Sequence, residues 1–563
     1  VIVRSHRSGN ELFPNPAWRY LLPDPTPRSV VAIGTGPAAD HARLLGDSRP
    51  AGHGTADLAV ADRSDSATIA ELVRSVRPGG VVCVDVAWPR LRPVRTLERR
   101  LAAAGLAPST VYSLSPSRDR WSPSWWIPVG RSDAAVFVAT AAAGLPPSGD
   151  RPLAHRLRAR VQVWLLAWLG SRPALIGGAP WLLHPARRQR LLAVAVKATG
   201  AVAARSMPGL SPVDGLPSGG GGPGRDIAVA MRVGGSSTDQ AMLFVFGAGP
   251  TPGVVIKAPT EPEEVVASRQ EHETLTALTS GAEPMPGVPR PVALTGGDGV
   301  PAWGQTFAPG RALTATLDPD ELAVPAEAVT TWLIGLADRT ATAADPDRVH
   351  ELVWGAVDEL TATLRSVPDG TWLEQQVRQR LRGLALPRLV AHHRDLGPWN
   401  IRADGDDLSI IDWADAVPQG PPVCDLLHYL AHLTLCAHDA YGTRRQGELV
   451  DSLPQPESPA GALVEACLDR YCRAVGIDRC ALPGLRVLTW VLDLLRRPPA
   501  ERAGGLYLDL LRAEVRFGGT SAPHCGSRLE RPRGNDPQGH PIGADDVRHR
   551  RTRTDRPPDG RLM

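Results

Sequence analysis

Lysine is nearly missing from this chain. Only Lys197 and Lys257 occur, although arginine and lysine together number 62 among 563 residues. The bias has the look of GC-rich coding, yet it makes both lysines conspicuous. Net charge is also small, +3, which excludes a global field that would gather nucleic acid. The seven cysteines are scattered, with no C-x-x-C pair. Neither a disulfide framework nor a zinc site is expected, and reduced thiols in a cytoplasm are the expectation. The opening residues lack the apolar segment of a secretory signal. The most apolar run, residues 161–170 (VQVWLLAWLG), is too short to span a bilayer. Arg156, Arg158, Arg160 and Arg172 around it would allow a peripheral helix on a membrane surface. A buried amphipathic helix is the competing expectation. What is present, 43% hydrophobic and 21% charged residues, suffices for proper cores in two to four domains.

One stretch organises the rest, residues 392–425: HHRDLGPWNIRADGDDLSIIDWADAVPQGPPVCD. An apolar run at 388–391 reads as a strand entering a loop. The loop carries His393, Asp395 and Asn400 in the order H-x-D-x-x-x-x-N. A turn follows at 403–406, and a second strand at 408–411 delivers Asp412. Two short strands joined by a tight turn would bring Asp395, Asn400 and Asp412 to one end of a hairpin. Those residue types suit phosphoryl transfer, in which the protein positions groups and neutralises charge. Asp395 can orient an acceptor hydroxyl and take its proton. Asn400 and Asp412 offer the oxygens that magnesium prefers. His393 is better suited to bracing the loop than to reacting.

Here the chain resembles the aminoglycoside phosphotransferase family, small-molecule kinases with a protein-kinase-like fold. The residues that carry the resemblance are His393-Arg394-Asp395-Leu396-Gly397-Pro398-Trp399-Asn400, Ile411-Asp412-Trp413 and Cys424-Asp425-Leu426. The resemblance implies Asp395 as catalytic base, Asn400 and Asp412 as metal ligands and Asp425 as a structural support of the loop. Protein kinases share H-R-D-x-x-x-x-N, but they follow it with D-F-G and a segment ending in A-P-E. Neither occurs here, which favours a small hydroxyl acceptor over a peptide.

Upstream, Val254-Val255-Ile256-Lys257 reads as a strand ending in the lysine that reaches nucleotide phosphates. Glu271 aligns best with the family's helix glutamate and would pair with Lys257; Glu273 is the rival. A hairpin loop holding Gly234, Gly235, Ser236 and Ser237 could cover phosphates with backbone N–H groups; an ordinary turn reads nearly the same. Residues 303–310 resemble the hinge, where backbone around Gln305 to Phe307 could meet adenine. Helices are expected at 324–343, 348–364, 371–384, 426–437, 460–475, 485–495 and 506–515.

The amino-terminal region alternates strand, turn and helix over residues 28–86, which suggests an α/β layer with parallel strands. It resembles class I SAM-dependent methyltransferases through its Gly34-Thr35-Gly36 turn and its Arg77-Pro78-Gly79-Gly80 turn before a strand. It departs from them at Ala32, where an acid is usual, and in the short gap from Gly36 to Asp57. The expectation is an inactive relic or a docking domain. Trp121, Trp125 and Trp126 fall in a Pro/Ser-rich loop, residues 134–140 read as a final strand, and Lys197 falls on a helical segment.

The expected fold class is an α/β Rossmann-like amino-terminal domain, 1–145, plus an α+β protein-kinase-like bilobal domain, 225–518. A helical connector, 146–214, and a glycine-rich linker, 215–224, would join them. That linker lacks the G-K-[ST] of a phosphate loop. A disordered tail, 519–563, would follow. The expected function is a cytoplasmic small-molecule kinase that uses ATP and Mg2+ on a hydroxyl acceptor. The alternatives are a non-catalytic nucleotide-binding scaffold, or pseudokinase, and a bifunctional methyltransferase-kinase.

Overall fold

The computed structural model describes residues 302–518 without a break. Before them it describes 21–22, 27–35, 37–88, 93–106, 110–115, 124–128, 134, 137–138, 189–197, 228–233, 240–247, 251–259, 262–281, 283–292 and 294. The apolar run at 161–170, the glycine-rich linker, the Gly234–Ser237 loop residues and the tail from 519 lie outside the described residues. No described helix is long and apolar enough to cross a membrane.

A single mixed sheet of twelve strands draws on the chain from Ser29 to Thr306. Its strands are β1 (Ser29–Ile33), β2 (Asp47–Ser48), β3 (Ala56–Ala61), β4 (Val76–Trp88), β5 (Thr110–Ser115), β6 (Ser124–Pro128), β7 (Gln189–Val196), β8 (Ala228–Val233), β9 (Gln240–Phe246), β10 (Pro252–Pro259), β11 (Pro291–Val292) and β12 (Trp303–Thr306). The spatial order is β11-β12-β10-β9-β8-β6-β5-β7-β4-β3-β1-β2. The run β2-β1-β3-β4 is parallel. Helices α1 (Pro37–Ala42) and α2 (Ser66–Ser75) lie between these strands in the chain. Parallel strands are covered on both faces, so apolar side chains point both ways. On β3, Leu58 and Val60 enter one core while Ala59 and Ala61 enter another.

Several expectations are corrected here. The connector was expected to be helical, but residues 189–196 form β7, inserted antiparallel between β4 and β5. The run LLAVAV is apolar without a helical period, and a central strand can be buried on both faces. Lys197 therefore sits at a strand end, where its ammonium donates to the carbonyls of Val73 (2.7 Å) and Val76 (2.8 Å). Trp125 and Trp126 belong to β6 rather than to a loop. Residues 134, 137 and 138 are helical rather than extended. Five cysteines (83, 424, 436, 467 and 472) are free and buried, whereas Cys480 is disulfide-bonded, against the expectation of reduced thiols throughout. The boundary expected between the two domains is crossed by the sheet: β6 pairs with β8, Trp125 opposite Arg232 and Trp126 opposite Met231. The described residues fall in one compact unit, Val1–Ser521.

Strands β8 to β12 with helix α3 (Pro262–Thr279) form a small amino-terminal lobe. The carboxy-terminal lobe is helical: α4 (Ala323–Thr340), α5 (Ala356–Leu364), α6 (Gly370–Leu381), α7 (Cys424–Ala437), α8 (Arg444–Ser452), α9 (Pro459–Val475), α10 (Leu482–Leu495) and α11 (Leu506–Phe517). Helix α8 is an addition to the expected set. Every residue of α7 from Cys424 to Cys436 is buried, which is how a helix apolar on all sides ends up at the centre of a core. Two short strands, β13 (Ile401–Asp404) and β14 (Asp407–Ile410), pair as the expected hairpin, with Ile401 opposite Ile410. Their two-residue loop opens with Gly405 at φ 60°, the position where a left-handed first residue favours glycine.

Candidate active site

The loop after the strand Arg388–His392 is held by one carboxylate. Asp425, in the first turn of α7, accepts the backbone N–H of His393 at 2.6 Å and of Arg394 at 2.9 Å. It also meets His392 Nε2 at 2.9 Å. Burial alone would raise its pKa, but His392 and His393 outweigh that and hold it well below the carboxylate range. Arg394 adopts φ 71°, a costly conformation for a residue with a Cβ, and its N–H is one of the two that Asp425 fixes. His393 is fully buried. Burial lowers its pKa, and its bonds suit the neutral ring. Nδ1 accepts from the N–H of Asp395 at 3.3 Å, so Nε2 is the donor to the Ile411 carbonyl at 3.0 Å.

Asp395 then stands at the mouth of the loop. Its Oδ2 accepts from Asn400 Nδ2 at 2.9 Å and faces Trp399 Nε1 at 3.5 Å. Asn400 Nδ2 also donates to the Asp395 carbonyl at 2.8 Å. With the amide nitrogen committed twice, the Asn400 side-chain carbonyl is the atom left for a cation. Gly397 permits this arrangement, because a Cβ there would meet the Trp399 ring at 2.3 Å.

The hairpin carries the chain from Asn400 back to Asp412. The Ile411 N–H donates to the Asn400 carbonyl at 2.9 Å, so both ends of the hairpin lie together. Asp412 takes φ 69°, and its Oδ1 accepts from Lys257 Nζ at 2.9 Å. Lys257 also donates to both oxygens of Glu271 at 2.7 Å. The pairing left open in the sequence falls on Glu271, which is buried on α3; Glu273 is exposed. Burial opposes the charge on Lys257, but Asp412 and Glu271 overcome it and raise its pKa. Lys257 in turn lowers the Asp412 carboxyl, against burial. Burial pushes Glu271 upward and Lys257 pulls it back. The Trp413 N–H adds a donor to Glu271 at 3.3 Å, and Gln270 of α3 donates to the Ala416 carbonyl at 2.7 Å. The two lobes are therefore joined at the site itself.

Some residues were missed in the sequence. Arg232 on β8 lies opposite Met242, which lies opposite Lys257. Cross-strand partners share a face, so Arg232 and Lys257 look the same way, and Asp412 acts on both electrostatically. A cation inside an otherwise apolar strand, AVAMRV, was the available signal. His392 carried no signal beyond standing next to His393.

A family comparison fits this geometry. Residues 231–467 match the model described as "Phosphotransferase enzyme family", APH. The match covers the paired lysine, the loop with Asp395 and the hairpin ending at Asp412. No curated protein matches the chain. Among solved structures, a glucosamine kinase is 17% identical over 54% of this chain and 95% of its own, with a TM-score of 0.30. An aminoglycoside phosphotransferase from Streptomyces rimosus is 14% identical over 52% and 93%, with a TM-score of 0.28. A choline kinase from Cryptosporidium parvum is 13% identical over 52% and 89%, with a TM-score of 0.32. The matched residues span both lobes, the smaller built on β8 to β12.

Proposed function

We propose that this chain transfers the γ-phosphoryl group of ATP to a hydroxyl of a small molecule. The observation that carries the reading is the convergence of Lys257, Glu271 and Asp412. Three separate elements deliver one ammonium and two carboxylates, next to a loop that presents Asp395. In this reading Lys257 and Arg232 face the phosphates, and Glu271 holds Lys257 in place. Asp395 Oδ1 receives the proton of the acceptor hydroxyl, since Oδ2 is engaged by Asn400. The hydroxyl oxygen forms the new bond to the γ-phosphorus, the bond to the β-phosphate oxygen breaks, and ADP leaves. The Asn400 carbonyl and the Asp412 carboxylate, 47% exposed, form the sparse oxygen set that suits Mg2+, which otherwise relies on phosphates and water. When bound, the ion neutralises developing charge on the phosphates.

The acceptor is read as small because the segment from Asp412 to the start of α7 is short and offers no platform for a peptide. The amino-terminal half is read as Rossmann-like, which its order β2-β1-β3-β4 supports. A working methyltransferase is the less favoured reading, because the Asp62 carboxylate fills the turn after β1. It accepts from the Thr35 N–H at 3.1 Å and lies where a Cβ on Gly34 (φ 105°) would meet it at 2.1 Å.

Calorimetry with Mg·ATP tests the kinase reading: the wild-type chain binds and Asp412→Ala does not. A screen of hydroxylated acceptors with γ-labelled ATP then follows. Asp395→Asn should keep nucleotide binding and lower transfer by about 10²–10⁴-fold, the usual share of a general base. Wild-type transfer by Asp395→Asn would remove Asp395 from that role.

A further inference from the structure

The lysine that faces the phosphates also marks one face of the sheet. Side chains alternate along a strand, so Val255 shares the face of Lys257. Pairing extends that face sideways. Phe244 lies opposite Val255, Ala230 opposite Phe244 and Ala228 opposite Phe246. The face continues on β6, where Trp125 lies opposite Arg232. The crossing to the second lobe begins at Phe307, whose N–H donates to the Gly253 carbonyl at 3.0 Å. A nucleotide with phosphates at Lys257 would lay its base back along β10 towards that crossing. There it would find a flat apolar wall of Val255, Phe244 and Phe307, the kind of surface that takes an aromatic ring.

That wall is already covered. Val255 is 5% exposed, Phe244 7% and Phe246 0%. The cover includes a helical segment of the amino-terminal half. Ala134, Phe137 and Val138 stand at i, i+3 and i+4, so they share one helical face, and all three join the cluster on this side of the sheet. The Phe137 ring lies 4.9 Å from that of Phe244, 5.5 Å from that of Phe246 and 5.5 Å from that of Phe307. The chain has six phenylalanines, and four of them meet here.

We infer that Phe137 occupies the nucleobase slot of the kinase cleft and competes with ATP for it. The inference rests on the kinase reading above. Ring–ring contacts of this kind hold Phe137 in place, and a nucleobase takes the slot only by displacing the Phe137 ring. The ring contacts of Phe137 fall on Phe244, Phe246 and Phe307, so the inference leaves the phosphate end, Lys257 and Arg232, open to a ligand. The amino-terminal half thereby sets the apparent nucleotide affinity of the other half, because affinity falls with the fraction of molecules whose site is open.

The test is calorimetry on the full chain with two probes, Mg·ATP and Mg·tripolyphosphate, which has phosphates and no base. Phe137→Ala should bind Mg·ATP at least about tenfold more tightly than wild type, while Mg·tripolyphosphate affinity stays within about twofold, given that tenfold corresponds to a modest free-energy difference. Phe137→Leu, which keeps an apolar cover, should fall between the two; it carries the test if Phe137→Ala melts early. Equal ATP affinity in the folded variants overturns the inference and leaves the kinase reading standing. Weaker ATP binding by Phe137→Ala also overturns it, since Phe137 would then be a wall that stacks on the base. Binding of neither probe by any of the three chains overturns both the inference and the kinase reading.

Discussion

Lys257 gives one ammonium to two carboxylates, and the two do different things. Glu271 is buried and fixes the lysine; Asp412 is half exposed and ties it to the far lobe. Lys257→Met leaves Glu271 buried without its cation, which should cost about 3–5 kcal/mol of stability, read by urea denaturation. Glu273→Gln should be silent in the same assay. Asp425 offers a test in pH. Its folded pKa is depressed, so its contribution is complete above the unfolded value of about 4. It is lost as pH falls through the depressed folded value. The melting-temperature gap between wild type and Asp425→Asn should therefore be constant near neutrality and shrink below about pH 4. A gap that does not change with acid would mean that Asp425 works by shape and not by charge. At this scale the sequence was legible wherever spacing along the chain does the work. Asp395, Asn400 and Asp412 stand at fixed offsets around one hairpin. Arg232 and Phe137 were illegible because their meaning depends on which strand lies beside which.

Elements with a strong local period were readable for the same reason. Residues 324–343 were expected as a helix, and α4 spans Ala323–Thr340. The hairpin declared itself by its turn. Strand β7 did not, because a central strand is apolar on both faces and loses the alternation that would betray it. The loop from His393 to Asn400 is an element too, and it has a weak point. Gly397→Ala would drive a methyl group into the Trp399 ring, an indole packed edge-on against His432 at 4.9 Å. The ring must shift and Asp395 loses a neighbour. Phosphate transfer should fall at least about tenfold, a barrier change of only about 1.4 kcal/mol, with the melting temperature changed little; crystallography or tryptophan fluorescence would report the moved ring. Unchanged transfer would mean that the indole does not help to place Asp395.

For the molecule as a whole, the sheet does not stop where the composition changes. The glycine-rich run at 215–224 suggested two bodies on a tether, since such a run has little to pack. Yet β6 pairs with β8, and one cluster draws Tyr112 and Leu192 from the first half together with Leu243 and Ile256 from the second. The two halves should therefore unfold in one calorimetric transition. Two resolved transitions would show that the β6–β8 seam opens without cost.

The scarcity of lysine gives this seam a chemical readout. Each half holds one primary side-chain amine, and both are engaged. Lys197 donates to two carbonyls in the amino-terminal half, and Lys257 to two carboxylates in the other. An amine-acylating reagent should leave both nearly unmodified in the native chain. As denaturant is raised, mass spectrometry of intact chains would count the side-chain acyl groups on each molecule. Molecules carrying none or two, with few carrying one, are what a protein that opens all at once would leave behind.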